Sequence, residues 1–422
     1  MDSITLMLKR QAYQFRIEPN GEQQRKLRQF AGMARFVFNK ALALQTETRE
    51  AGGKHLNYAA MSRQLTTWRN SDETPWLKDA PVHPLQQSLK DLDRAYQNFF
   101  AKRADFPRFK KRGKHDSFRY PDAKQFKVDQ ANSRIFLPKL GWMRYRNSRE
   151  VLGTLKNLTV SLRAGQWYVS IQTEREVEIP RHPSALAVGI DLGVVRFATL
   201  WDGQRETVLE PLNSFAAHQH RLAKAQRQMA RKTKFSRNRL KAKAKVQRIQ
   251  LQIANARNDY LHKATHTLSQ NHALVCVEDL RVGNMTRSAS GTAEQPGRNV
   301  RQKSGLNRSI LDQGWGEFRR QLDYKATWCG GWLEAVPPQY TSQHCTACGY
   351  THAENRQRQA EFLCQACGFE ENADVVGAMN IRERGLKQLE GQDHAQIACE
   401  VNGAIRPSAA GTHRSVHAAT AA

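Results

Sequence analysis

Four of the seven cysteines fall into two C-x2-C pairs, Cys345/Cys348 and Cys364/Cys367, with fifteen residues between the pairs. Each pair puts two thiolates on one tight knuckle, and two knuckles complete a tetrahedron of soft ligands suited to Zn²⁺. Gly349 and Gly368 directly follow the second cysteine of each pair, where a knuckle needs backbone freedom. Two redox motifs or a chance grouping are the competing readings. Four thiolates leave no open coordination position, so zinc held there is structural and not catalytic. His344 and His352 are the substitute ligands nearby, and neither has the right spacing. Cys276, in an apolar strand, and Cys329, on an apolar helix face, read as packing residues.

A second set of residues offers oxygen ligands. Asp191 ends an apolar run in "VGIDLG", Glu278 ends another in "LVCVEDL" with Asp279 beside it, and Asp374 lies in "ENADVVGAMNI" at an expected helix start. Singly, each is ordinary: an Asp after a strand serves as a turn residue, and an Asp at a helix N-terminus complements the helix dipole. Together, and if the chain's partner is nucleic acid, as its charge suggests, they point to phosphodiester hydrolysis. That reaction uses two Mg²⁺ ions about 3.5–4 Å apart, and Mg²⁺ prefers hard oxygen ligands supplied by rigid elements. Glu278 and Asp279 point to opposite faces of one strand, so only one reaches the site. Glu278, continuous with the apolar run, is the expected one.

The charge supports a polyanionic partner. Across 422 residues, Lys plus Arg total 66 and Asp plus Glu 39, so the net charge is 66 − 39 = +27, and the pI is near 10.1. Nucleic acid fits this excess; a polybasic membrane-surface protein is the competitor. Between Pro211 and Asn258 there are thirteen Lys/Arg and no Asp or Glu. A solvated helix face ordinarily mixes signs, so this stretch reads as a phosphate-tracking surface, with Arg227, Arg231, Lys232, Lys234 and Arg237 among its contacts. The mean hydropathy is −0.69, no run approaches the roughly 18 apolar residues of a spanning helix, and the N-terminus lacks a signal-peptide pattern. The expected location is cytoplasmic, at the nucleoid when DNA is bound.

These groups need elements to hold them. Residues 1–19 alternate as one or two strands, Asn20 is placed to cap a helix, and residues 20–102 are largely helical with a break at Gly52. "FPRFKKRGKH" carries six basic residues, counting His115, interleaved with Phe106 and Phe109. Period-two alternation from about 115 to 180 predicts a small antiparallel barrel or sheet, with a hairpin at Ala164-Gly165. The first strand joins it, which makes the helical block an insertion. Strands are then expected at 186–190, 196–201 and 206–209. A helix or helical hairpin follows from about Phe215 to Gln270, then the strand "ALVCVEDL". Residues 284–308, rich in Gly, Ser and Arg, read as a mobile loop or lid. "ILDQGWGEFRRQLDYKATW" predicts one amphipathic helix and "GGWLEAVPPQY" a strand, before a small, polar, disordered tail.

In this order, "GIDLG", "VEDL", "WGEFRRQLDYKA", the C-x2-C pairs and "ADVVGAMNI" resemble the C-terminal half of the OrfB/TnpB family of insertion-sequence proteins. "RFVFNKAL", "LQQSLKDLDRAYQNFF", "FPRFKKR" and "LPKLGW" resemble its N-terminal half. The likeness covers about residues 8–385, and the family is similar to type V CRISPR effectors. It implies an α/β and β multidomain protein: a RuvC-like RNase H fold nuclease domain carrying a zinc ribbon, plus a β-barrel wedge domain with a helical recognition insert. The implied parts are wedge 1–19 and 106–182, recognition 20–105, nuclease 183–341 and 371–390, ribbon 342–370 and a tail 391–422. The implied activity is RNA-guided cleavage of DNA, with a guide RNA from the transposon end and a short flanking motif on the target DNA read by the protein.

Position by position, the implied catalytic and Mg²⁺-binding triad is Asp191, Glu278 and Asp374, with Asp191 bridging both metals. Tyr58 and Gln86 fall in stretches that read the flanking motif, and the 284–308 loop would lie over the nuclease site. The family pattern has Asn two residues after the last Asp and then Ala; here these are Val376 and Gly377. A monomer with one RNA is expected. Two other readings stay open: a guide-directed repressor without cleavage, and a transposase or its accessory. A single-strand transposase would need a Tyr nucleophile beside a His-hydrophobic-His motif, and the one H-x-H, at His218, has Gln in its middle.

Overall fold

The computed structural model describes residues 6–390; the expected disordered tail, 391–422, lies outside them, as do residues 1–5. The chain divides into two compact units between Glu178 and Ile179.

In the first unit, strand β1 (Leu6–Glu18) alternates as its sequence predicts, with Tyr13, Phe15 and Ile17 turned into the core. Asn20 then starts helix α1 (Gly21–Glu50) through a capping box: its side chain accepts from Gln23 N while the Gln23 side chain accepts from Asn20 N. Helices α2 (Tyr58–Asn70) and α3 (Val82–Phe100) follow. Leu85, Leu89, Leu92 and Tyr96 of α3 pack in the same core as Leu27, Phe30, Val37 and Phe38 of α1. Strands β2 (Ser117–Tyr120), β3 (Lys127–Asp129), β4 (Arg134–Leu137), β5 (Gly141–Tyr145), β6 (Thr154–Arg163) and β7 (Gln166–Glu178) complete the unit. Ala164 and Gly165, at φ +48° and +81°, join β6 to β7 in the double left-handed turn that matches strand twist.

The strand order is β2-β6-β7-β1-β5-β4-β3, all antiparallel. β1 pairs with β7 from Leu6 to Arg16 and then with β5 at Ile17 and Glu18. Chain-first β1 is thus central, and α1–α3 are inserted within the sheet. Among the described residues the hydrogen-bonded order ends at β2 and β3, a seven-stranded antiparallel sheet in which β1 pairs on both sides.

The second unit is built on strands β8 (Ala187–Leu192), β9 (Ala198–Trp201), β10 (Glu206–Leu209), β11 (Leu274–Glu278) and β12 (Trp332–Val336), ordered β10-β9-β8-β11-β12. The first three are mutually antiparallel, and β11 and β12 run parallel to β8. Between β10 and β11 lie α4 (Ser214–Ala230) and α5 (Arg237–Asn271), a hairpin and not one continuous helix, with Ser236 capping α5. The expected loop at 284–308 is corrected by the structure. Helix α6 (Val282–Met285) runs into its start, Gly291 bridges to Pro296, and α7 (Val300–Gln313) takes up its end. Its apolar anchor comes late, at Ile310. Polar ties hold the rest: Lys303 Nζ donates to Met285 O and Asn307 Nδ2 to Thr286 O.

The long amphipathic helix expected next is two, broken at Gly314, after which α8 (Trp315–Trp328) begins. Cys329 caps the end of α8. Strands β13 (Glu361–Leu363) and β14 (Glu370–Asn372) form a small hairpin, and α9 (Ala373–Glu390) returns to the large sheet. Among the described residues, no helix is long and apolar enough to cross a membrane.

Helices cover both faces of the five-stranded sheet, and strand alternation decides what each face receives. Val188, Ile190, Val275 and Val277 pack against Leu261 and Leu268 of α5 and Phe318 and Leu322 of α8. Ala187, Leu274 and Cys276 pack against Ile381 and Leu389 of α9. At Gly189 the helix touches the sheet backbone: a Cβ there would lie 2.0 Å from Ala378 O and 2.6 Å from Arg382 N. Only glycine permits that approach.

Candidate functional site

Strands β8 and β11 run in register, with Ile190 opposite Val277. The next residues, Asp191 and Glu278, therefore emerge side by side at the carboxyl ends of adjacent strands. By alternation they share the face of Gly189 and Cys276, the one covered by α9. Asp374 is the second residue of α9, its N–H donating to Asn372 Oδ1 at 2.9 Å. The three acids named from the sequence thus converge, and electrostatics registers it. Burial pushes the Asp191 carboxyl up to about 8, with the charges of Glu278 and Asp374 raising it further and Arg356 opposing. Burial also raises Glu278, against the Thr341 hydroxyl, Arg384 and Arg356. Asp279 faces the other way and pairs with Arg319 of α8, leaving Glu278 as the acid at the site.

Helix α9 rests directly on the cluster. A Cβ at Gly377 would sit 3.0 Å from Asp191 Oδ2 and 3.2 Å from its Cγ, so glycine instead of alanine at this position leaves the carboxylate room. Val376, the other departure from the family pattern, is fully buried with Cys345, Phe362, Cys364 and Ala373, where it ties α9 to the cysteine knuckles.

Those knuckles form the second part of the site. The four Sγ atoms lie within 4.8 Å of one another, with Cys345–Cys367 at 3.7 Å and Cys348–Cys364 at 3.6 Å. Zn–S bonds of about 2.3 Å in a tetrahedron require S–S edges of about 3.8 Å, so the donors are already spaced for zinc. The knuckles match: Gly349 N donates to Cys345 O and Gly368 N to Cys364 O, each at 3.0 Å. Neither histidine joins them; His344 Nδ1 pairs with Thr351 Oγ1.

Three residues without a sequence signal link the two parts. Thr341 Oγ1 donates to Glu278 Oε1 at 2.7 Å in a buried contact. Asn380 of α9, also buried, donates from Nδ2 to both Thr341 O and His344 O at 2.8 Å, clamping the strap that enters the first knuckle at Cys345. Arg356, in the loop between the knuckles, places Nη2 3.4 Å from Asp374 Oδ1. A threonine or asparagine in a polar strap has no spacing that distinguishes it, and only the fold exposes this relay.

Among the described residues, the four cysteines are the one group whose ligand atoms all lie within 4.8 Å of one another. The three carboxylates are not grouped that closely. Their hard oxygens and mutual repulsion fit a divalent cation such as Mg²⁺.

The expected nucleic-acid contacts are also placed. Arg227 lies on α4, Arg231, Lys232 and Lys234 in the α4–α5 connection, and Arg237 begins α5; all five are exposed. In the first unit, Tyr58 opens α2 with Lys90 Nζ 5.3 Å from its ring centroid, and Gln86 lies one turn before Lys90 on α3.

Two outcomes follow. Without added divalent cation, Asp191 prefers its proton in the folded state but not in the unfolded one. Its contribution is therefore present below about pH 4 and is lost as pH rises toward about 8. Asp191→Asn removes this penalty, so the variant's melting temperature should exceed the wild type's by a margin that grows from pH 5 to pH 8. For the knuckles, the purified chain should carry one zinc per chain by elemental analysis, and Cys364→Ser should lose it along with several degrees of thermal stability.

Comparisons with known proteins agree with this geometry. Family models match residues 170–289 (OrfB of IS605, probable transposase), 315–381 (Cas12f1-like, TNB domain) and 7–54 (helix-turn-helix domain). An Escherichia coli (strain K12) protein named "Putative RNA-guided DNA endonuclease InsQ" is 59% identical over 93% of this chain and 94% of its own length. A like-named protein of Streptomyces pristinaespiralis is 33% identical over 89% of this chain and 90% of its own. In fold, the chain is similar to Cas12f1 from a complex with single guide RNA and target DNA, at TM-score 0.53 and 13% identity over 86% of this chain and 83% of that one. By near-full-length identity of this order, the chain belongs to the OrfB/TnpB family of insertion-sequence proteins.

Proposed function

We propose that this chain is an RNA-guided DNA endonuclease of a transposable element, hydrolysing target DNA at Asp191, Glu278 and Asp374. The observation that carries the reading is the meeting of these acids at the ends of two adjacent parallel strands beneath α9, in a chain 59% identical to a protein named for that activity. The sheet order, three antiparallel strands followed by two parallel ones, supports a RuvC-like RNase H fold for the nuclease part.

The three carboxylates would hold magnesium, which when bound would supply an activated water and a stabilised leaving oxygen. Asp191, whose carboxyl feels the charges of both Glu278 and Asp374, would be one of the residues holding the metal. Glu278, fixed by Thr341, and Asp374, at the head of α9, complete the ligand set from rigid elements. Ionising Asp191 beside two other acids is costly without a cation, so metal binding and deprotonation are coupled. The Cys345, Cys348, Cys364 and Cys367 thiolates hold a structural zinc that fixes the ribbon from which Arg356 and the Thr341 strap reach the carboxylates.

The guide RNA comes from the transposon end, and its pairing selects the target DNA, while Tyr58 and Gln86 in the recognition part read the short flanking motif. Arg227, Arg231, Lys232, Lys234 and Arg237 track phosphates. The working form is a monomer with one RNA, divided into wedge, recognition, nuclease and ribbon parts at the boundaries implied by the resemblance.

The test is plasmid cleavage by the purified RNA complex. Wild type with Mg²⁺ and a matched guide should cut, and Asp191→Ala should fall below detection with RNA binding intact. Equal cutting by both, or none by wild type, removes the enzyme reading and leaves guide-directed DNA binding in its place. In the same assay Thr341→Val should raise the half-saturating Mg²⁺ concentration by about tenfold, the equivalent of losing a hydrogen bond to a charged acceptor, and Thr341→Ser should restore it.

A further inference from the structure

We propose that the tip of the α4–α5 hairpin stacks against an unpaired base of the guide RNA, with Phe235 as the stacking ring. This rests on the reading above that the chain carries a guide RNA, and assigns that RNA a contact of a different kind from the phosphate contacts.

Phe235 is 84% exposed, the highest fraction among the large apolar side chains of the described residues. It also holds φ at +70°, a left-handed conformation that a bulky side chain adopts at a cost. Packing does not explain either feature. The hairpin has its own core, Leu222 and Ala225 of α4 against Val246, Ile249 and Ile253 of α5, and Phe235 is outside it.

The connection that presents the ring is firmly tied. Arg239 Nη1 donates to Met229 O at 3.2 Å and Lys232 O at 2.9 Å, Ser236 N donates to Thr233 O, and Ser236 Oγ accepts from Arg239 N at 3.1 Å. A strained, fastened connection that holds an apolar ring in water is built for contact. Lys234 Nζ lies 5.3 Å from the ring centroid, so a cation is at hand for the phosphate next to a stacked base.

The surroundings select the partner. None of the twelve Lys and Arg side chains from Arg221 to Arg248 forms an ion pair among the described residues. Such a surface calls for a polyanion, and a free ring at its apex calls for a flat apolar face. Folded RNA offers both, because its loops and bulges leave bases unstacked and open to aromatic side chains. A DNA duplex keeps its bases stacked inside, and a guide–target duplex keeps them paired. A displaced DNA strand is unpaired only after the target has been opened, whereas the RNA presents unpaired bases before any DNA is bound. The guide RNA is therefore the occupant.

The test uses the full chain and the transposon-end RNA made by transcription. Wild type, Phe235→Ala and Phe235→Trp are compared for RNA affinity across a salt series, for affinity to a duplex DNA of matched length, and for chemical reactivity of each RNA base. Phe235→Ala should bind the RNA roughly ten- to a hundredfold more weakly. Its salt slope should be unchanged, because no phosphate contact is lost, and one unpaired base protected in the wild-type complex should become reactive. Phe235→Trp should keep both affinity and protection, and duplex binding should not move.

Unchanged RNA affinity and reactivity in Phe235→Ala would overturn the proposal. So would an effect confined to duplex DNA, or one on self-association or protein capture alone. Wild type that fails to bind the RNA would overturn the guide reading and this inference together, whereas a complex that binds RNA through Phe235 but does not cut would overturn only the enzyme.

Discussion

Carboxylates at neighbouring strand ends beneath a helix repel one another, and the second unit is arranged around holding them there. Asp191 and Glu278 cannot move apart, because the register of two parallel strands fixes their spacing. Nor can they retreat from α9, which touches the sheet backbone at Gly189 and the Asp191 carboxyl at Gly377. A site for divalent cations needs this conflict: acids that could relax away from each other would bind a cation less well. The valine-rich opposite face, anchored on α5 and α8, supplies the packing that withstands the repulsion.

The cysteine knuckles belong to the same mechanical problem. Their core reaches α9 through Ala373 and Val376, and their entry strap reaches Glu278 through Thr341, with Asn380 holding strap and helix together. The helix that delivers Asp374 and the strap that orients Glu278 are thus fixed to one small body built on the four cysteines. A zinc in those knuckles, with no open position of its own, would on the proposed reading still bear on the carboxylates, by determining where two of the three stand.

Much of this was legible before the fold was known, for definite physical reasons. Ligand geometry dictates cysteine spacing, so the knuckles could be read directly. A buried strand needs apolar residues, so an acid at its end stood out at Asp191 and Glu278. Charge of one sign over a long helical stretch marked the hairpin. Where legibility failed, packing was local or polar. The first part of α7 reads as a loop because its first turns are solvated and held by Lys303 and Asn307, with an apolar anchor only at Ile310. The break at Gly314 interrupts an otherwise continuous amphipathic pattern. Thr341, Arg356 and Asn380 matter through single contacts across the fold, which no periodicity records.

The hairpin's private core has a consequence for the size of the molecule. From Arg237 to Leu261, where α5 reaches the sheet core, the helix advances on the order of 35 Å. Over most of that distance α4 and α5 pack chiefly on each other. Whole turns added to or removed from both helices together would move the tip outward or inward while leaving the sheet and its acids unchanged. The reach of the arm is therefore an adjustable dimension of this architecture, free to follow the length of whatever it grips.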